Sequence, residues 1–142
     1  MEGGKDVKAV LKSYQIALKY AKKAVMDWDE AELNATTLRS PKMDGMPRVG
    51  GVHGLELQVA VVVEKRAIAE KERKRAFDVL EKIEAMIESL DDFEQRNVLR
   101  KRYVDGMEWA EVAKETFMSE RKVYNVHGRA LAELRRKYEA DG

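Results

Sequence analysis

Seven residues near the end of the chain have types and spacing that can do chemistry on a polyanion. Arg121 and Lys122 can donate to guanine edges or phosphates, and Asn125 can pair bidentately with adenine. Tyr124 and Ser119 can contact phosphate oxygens, while Gly128 and Arg129 share the same outward side. From Ser119 to Lys137 there are six Lys/Arg and two acids, a local charge of +4. A charged helix face that simply stays hydrated fits that count too, so the placement of the residues has to decide.

Placement comes from the periodicity around them. Ser119 can accept hydrogen bonds from free N–H groups as an N-cap, opening a helix whose inner face is Val123, Val126, Ala130, Leu131 and Leu134. Before it, Trp109, Val112, Ala113 and Thr116 mark one face of a helix about two turns long. Phe117-Met118 interrupts the two, and Ala113 is small enough to let them approach. A short helix, a tight turn and a longer helix with a basic, amide-bearing outer face is the layout of a helix-turn-helix, whose second helix enters the major groove. Phe117 stands where many such turns carry glycine, because that position often takes a positive φ that bulky residues resist. Its ring is therefore expected to tuck against Trp109 or Tyr103 while the backbone takes another route.

Upstream, Asp91 is expected to cap a helix over 91–104 with Glu94 answering it, and Asp105-Gly106 to end that helix. Farther back, Val7, Val10, Leu11, Tyr14, Ala17, Leu18, Ala21 and Val25 recur at helical steps in a stretch free of Pro and Gly. A second long helix is predicted from about Leu55 to Ser89, burying Val59, Val62, Val63, Ile68, Phe77, Leu80, Ile83 and Ile87. Pro41, Gly45, Pro47, Gly50, Gly51 and Gly54 place a loop at about 39–54 between them. The expected protein is all-α: a long antiparallel helical hairpin over 1–89, then a helix-turn-helix domain over 90–142. Such a hairpin has a thin core, which favours packing on a second copy, giving a homo-oligomer, or on the C-terminal domain.

Composition narrows the classes. Charged residues are 37% of the 142, as in long exposed helices. The 27 basic and 26 acidic residues leave a net charge of +1, so any attraction to a polyanion must be local. Even from residue 91 onward, eleven bases meet eleven acids. There is no cysteine, which removes disulfides, thiolate zinc sites and cysteine nucleophiles. The N-terminus lacks the apolar core of a signal peptide, and the longest apolar run, Val59–Val63, is too short to span a bilayer, so a soluble cytoplasmic protein without a membrane partner is expected.

Other features invite function but have plainer meanings. Lys71-Glu72-Arg73-Lys74-Arg75 reads as a solvated helix face. His53 and His127 have no second histidine or paired carboxylates at metal spacing, and His127 is assigned to packing ahead of a phosphate contact. Gly50-Gly51 lacks the Lys-Ser/Thr of a phosphate loop. With no nucleophile–base constellation visible, no catalytic residue, metal or cofactor is expected, and the chain is not read as an enzyme.

Leu90-Asp91-Asp92, the run from Asn97 through Tyr103 and Gly106 to Ala113, and Ser119-Glu120-Arg121-Lys122-Val123-Tyr124 together resemble the promoter-reading C-terminal domain (region 4) of sigma factors. More closely, they resemble phage late-gene activators of the ArpU and RinA type. Ser40-Pro41-Lys42-Met43-Asp44-Gly45-Met46-Pro47-Arg48 before a glycine pair is similar to the inter-helix loop of that family, and His127 near Ala130-Leu131 adds to the likeness. The resemblance implies a sequence-specific activator of phage late (packaging or lysis) genes, acting on duplex DNA with RNA polymerase as a further partner. Two other readings compete. One is a small-terminase-like packaging adaptor that multimerises through its arm, and the other is a hairpin that binds only protein.

Overall fold

The computed structural model describes residues 6–39 and 51–139, and the side chains of all of these except 38, 39 and 51–53. It is all-α, with no strand among the described residues. Five helices follow in order: α1 (Val7–Arg39), α2 (Gly51–Glu88), α3 (Phe93–Leu99) continued by a π-helical turn (Arg100–Val104), α4 (Trp109–Thr116) and α5 (Glu120–Tyr138). No described helix is long and apolar enough to cross a membrane. The second helix starts earlier than its periodicity suggests, since 51–54 are helical. The rest of the expected loop, 40–50, lies outside the described residues.

The chain forms two compact units that do not divide at residue 90. One takes the described residues up to Ala17 together with those from Ala76 onward, and the other is Leu18–Arg75. The reason is where the large apolar side chains lie. In the first unit Val7 and Leu11 from the start of α1, and Ile83, Met86 and Ile87 from the end of α2, share one core with Leu90, Leu99, Tyr103, Ala130, Leu131 and Leu134. The arm's two ends thus complete the C-terminal domain. Glu139 beyond α5 accepts a hydrogen bond from the Val7 N–H (3.0 Å), meeting one of the free donors that open α1.

In the second unit α1 and α2 run antiparallel, with Leu18, Ala21, Val25 and Met26 across from Arg73, and Glu32, Ala35 and Thr36 across from Val59 and Val62. The buried residues here are alanines: Ala21, Ala24, Ala31 and Ala35 on α1 and Ala69 on α2. Small side chains at the seam let helix axes approach closely. Val59, Val63 and Ile68, expected in the core, therefore flank the seam and are exposed, as is Phe77 of the first unit. A two-helix layer has one inner face, and here alanine occupies it.

Local signals set the domain's joints. Asp92, not Asp91, caps α3, its carboxylate accepting from the Gln95 N–H (3.1 Å). Arg96 reaches back to donate to the carbonyls of Leu90 (2.6 Å) and Asp91 (3.2 Å), which fixes the α2–α3 corner. The π-helical turn leaves the Tyr103 and Val104 carbonyls open, and the Gln15 amide donates to both at 3.0 Å. Gly106 then reverses the chain with φ +74°. A Cβ there would lie 3.1 Å from Gln15 Oε1, in a conformation that L-residues resist. Gly106→Ala is expected to cost about 1–2 kcal/mol from backbone strain alone, read as a lower urea midpoint at unchanged m-value. An unchanged midpoint would mean that Gln15 and Gly106 do not set this joint.

Candidate nucleic-acid interface

α5 is held from two sides. Its N-terminal half sends Val123 and Val126 into a second core with Val98 of α3 and Val112 and Ala113 of α4, edged by Met107, Trp109 and Met118. Its C-terminal half sends Ala130, Leu131 and Leu134 into the core described above. Val123, Ala130 and Leu134 have no exposed surface at all. A helix locked along one stripe must present its opposite stripe to solvent.

All seven singled-out residues are exposed. Ser119 is the N-cap, as its type and position suggest, and its Oγ accepts from the Lys122 N–H at 3.1 Å. Capping uses an acceptor site of the hydroxyl, so its O–H stays able to donate to a phosphate. At 100° per residue, Arg121, Asn125 and Gly128 fall opposite the buried stripe, with Arg129 beside them. Gly128 has open space where a Cβ would be, so a ligand can come close to the backbone there.

Lys122 and Tyr124 occupy the two flanks and are tethered. The Lys122 ammonium lies 3.5 Å from Glu94 of α3. That exposed ion pair is worth a fraction of a kcal/mol and yields readily to a stronger anion. The Tyr124 ring packs against Trp109, centroids 5.0 Å apart, while half the residue stays exposed. Trp109 also meets the edge of His127 at 4.7 Å and carries the Arg102 guanidinium 4.5 Å over its ring. Arg102 in turn donates to the Met107 carbonyl at 2.8 Å. The helical spacing marks Trp109 only as one position on the inner face of α4, and it gives Arg102 no signal. The position of Trp109 just after Gly106 is the one signal of a shared aromatic support.

His127 is buried, in keeping with its assignment to packing. Its Nε2 lies 2.7 Å from the Tyr103 hydroxyl. Burial lowers the imidazole pKa to about 4, with smaller contributions from the nearby charges of Lys8, Arg102 and Arg135. Burial raises the Tyr103 phenol above its usual value. Both shifts keep the pair neutral, so the phenol O–H donates to an unprotonated imidazole.

The turn departs from expectation. Phe117 itself takes the left-handed conformation (φ 58°, ψ 35°), and its ring does not tuck against Trp109 or Tyr103 but is 95% exposed. The backbone closes α4 as a Schellman motif, Met118 N–H donating to the Ala113 carbonyl (3.1 Å) and Phe117 N–H to the Lys114 carbonyl (3.3 Å). Met118 packs on the second core as such motifs favour. The motif requires the left-handed residue, and a non-glycine there costs about 1–2 kcal/mol.

The described residues are all-α and end in a short helix, a Schellman turn and a longer helix with an exposed basic and amide-bearing face. The chain belongs to the family described as "Protein of unknown function (DUF1492)", whose match covers residues 37–135. No curated protein and no solved structure matches it.

The His127 shift has a stability consequence. Its folded pKa of about 4 lies below the ordinary 6.5, so the unfolded chain takes up the proton first as pH falls. Stability from this residue is full above pH 6.5 and lost on acidification toward pH 4, by on the order of 3 kcal/mol. Urea midpoints between pH 7 and pH 4 should fall steeply for the wild type and more gently for His127→Gln. Parallel slopes would show that His127 does not carry the acid sensitivity.

Proposed function

We propose that the chain is a sequence-specific DNA-binding regulator of transcription, reading the major groove with α5. The observation that carries this is the line of Arg121, Asn125, Gly128 and Arg129 on a helix locked from behind by two cores. Guanidinium and amide groups match guanine and adenine edges. Tyr124, Lys122 and Ser119 at the margins suit phosphates, which set register without reading sequence. We read the protein as a binding protein rather than an enzyme. The resemblance to ArpU- and RinA-type activators supports a finer reading: activation of phage late genes in the cytoplasm of a bacterial host, in contact with RNA polymerase.

A second reading, a packaging adaptor that multimerises, draws on the arm. Tyr20, Met26, Leu33 and Val63 are each more than 60% exposed in the second unit. Such apolar exposure suits a second copy in either reading. Sedimentation separates the two, since an adaptor should form a large ring and a regulator a small oligomer. Sequence preference separates them as well, since a regulator should favour its site over random DNA by about a thousandfold or more.

Replacing both Arg121 and Lys122 with Ala should weaken binding to a selected duplex by about 1–3 kcal/mol per lost base contact. Thermal melting should be unchanged, because both side chains are exposed and neither enters a core. Undiminished affinity in a gel-shift titration would reject α5 as the reading helix.

A further inference from the structure

Phe117 is the one non-glycine residue with positive φ among the described residues, and the fold gains little from its side chain. With 95% of the residue exposed, the ring buries almost nothing within the chain. Glycine would satisfy the same Schellman turn without strain. A strained backbone that displays a large apolar group in water points to use of that group outside the chain.

Position indicates what it meets. Phe117 lies two residues before the Ser119 cap, at the leading end of α5, and the N-terminal residues of a recognition helix are those that contact base edges. Lys114, Arg121 and Lys122 are exposed around it, as are Glu111, Glu115 and Glu120, so charge does not choose the partner, and the place of Phe117 just ahead of the Ser119 cap, Arg121 and Asn125 is what favours DNA over an apolar protein pocket. Among the groups that B-DNA shows in its major groove, the apolar one is the C5 methyl of thymine.

We propose that Phe117 is a specificity residue whose ring covers a thymine methyl at the edge of the DNA site. This rests on the reading of α5 as the recognition helix. It adds an apolar contact, set by backbone geometry, to the polar readout by Arg121 and Asn125.

The test uses the full chain and a duplex that the wild type selects from a random pool. A second duplex carries deoxyuridine at every thymine, which deletes only the methyl groups. Phe117→Gly should melt at or above the wild-type temperature, so a loss of binding is not a loss of fold. Its affinity for the thymine duplex should fall about tenfold, the worth of covering roughly 50–60 Å² of apolar surface. The uracil duplex should weaken wild-type binding by a similar factor and affect Phe117→Gly much less. Wild-type affinity in the glycine variant overturns the proposal, as does an equal uracil penalty in both proteins. If the wild type selects no sequence at all, the recognition-helix reading fails and this proposal falls with it, and the two failures are told apart by whether the wild type binds.

Discussion

Burial of one stripe of α5 is the constraint on which the rest of the structure depends. Val123 and Val126 belong to one core, Ala130, Leu131 and Leu134 to another, and no other helix contributes so many residues to both. Each fully buried Val or Leu among them is worth about 1.5–3 kcal/mol. The helix is therefore fixed in rotation as well as position. That rotational lock turns a scattered set of polar residues into a defined outward face.

The same stripe explains why the ends of the hairpin belong with the C-terminal residues. Two antiparallel helices joined by an alanine seam bury little area, whereas Val7, Leu11, Ile83, Met86 and Ile87 gain a thick core against Leu99, Tyr103 and Leu134. Polar contacts then finish what packing leaves open. Gln15 satisfies the carbonyls of the π-helical turn, Glu139 accepts from the first N–H of α1, and the Lys137 ammonium reaches the Ser89 carbonyl. Each joins segments far apart in sequence, and each meets backbone groups that burial would otherwise leave unpaired.

The proposed reading surface is built in layers. Arg121, Asn125 and Arg129 are backed by nothing more than their own helix, which leaves them free to adapt. Tyr124 rests on Trp109, which is pinned between His127 and Arg102. The neutral Tyr103–His127 pair sits beneath that platform. Burial is the main reason a protonated imidazole is disfavoured there, with the nearby charges of Lys8, Arg102 and Arg135 adding to it, so the platform is expected to loosen in acid.

The sequence by itself determined the elements whose signals are local: the span of α4, the Ser119 cap, the buried stripe of α5, the stop at Gly106 and the outward placement of all seven candidate residues. Those follow from a 3.6-residue period and from caps that act within one turn. Tertiary structure decided what depends on partners distant in the chain. The unit boundary moved because Ile83, Met86 and Ile87 choose their neighbours in three dimensions. Val59, Val63 and Ile68 looked buried by period, yet small alanines took the seam. Phe117 accepted a glycine's conformation because the hydrogen bonds closing α4 and the packing of Met118 outweigh its local preference, which no reading of the residue alone reveals.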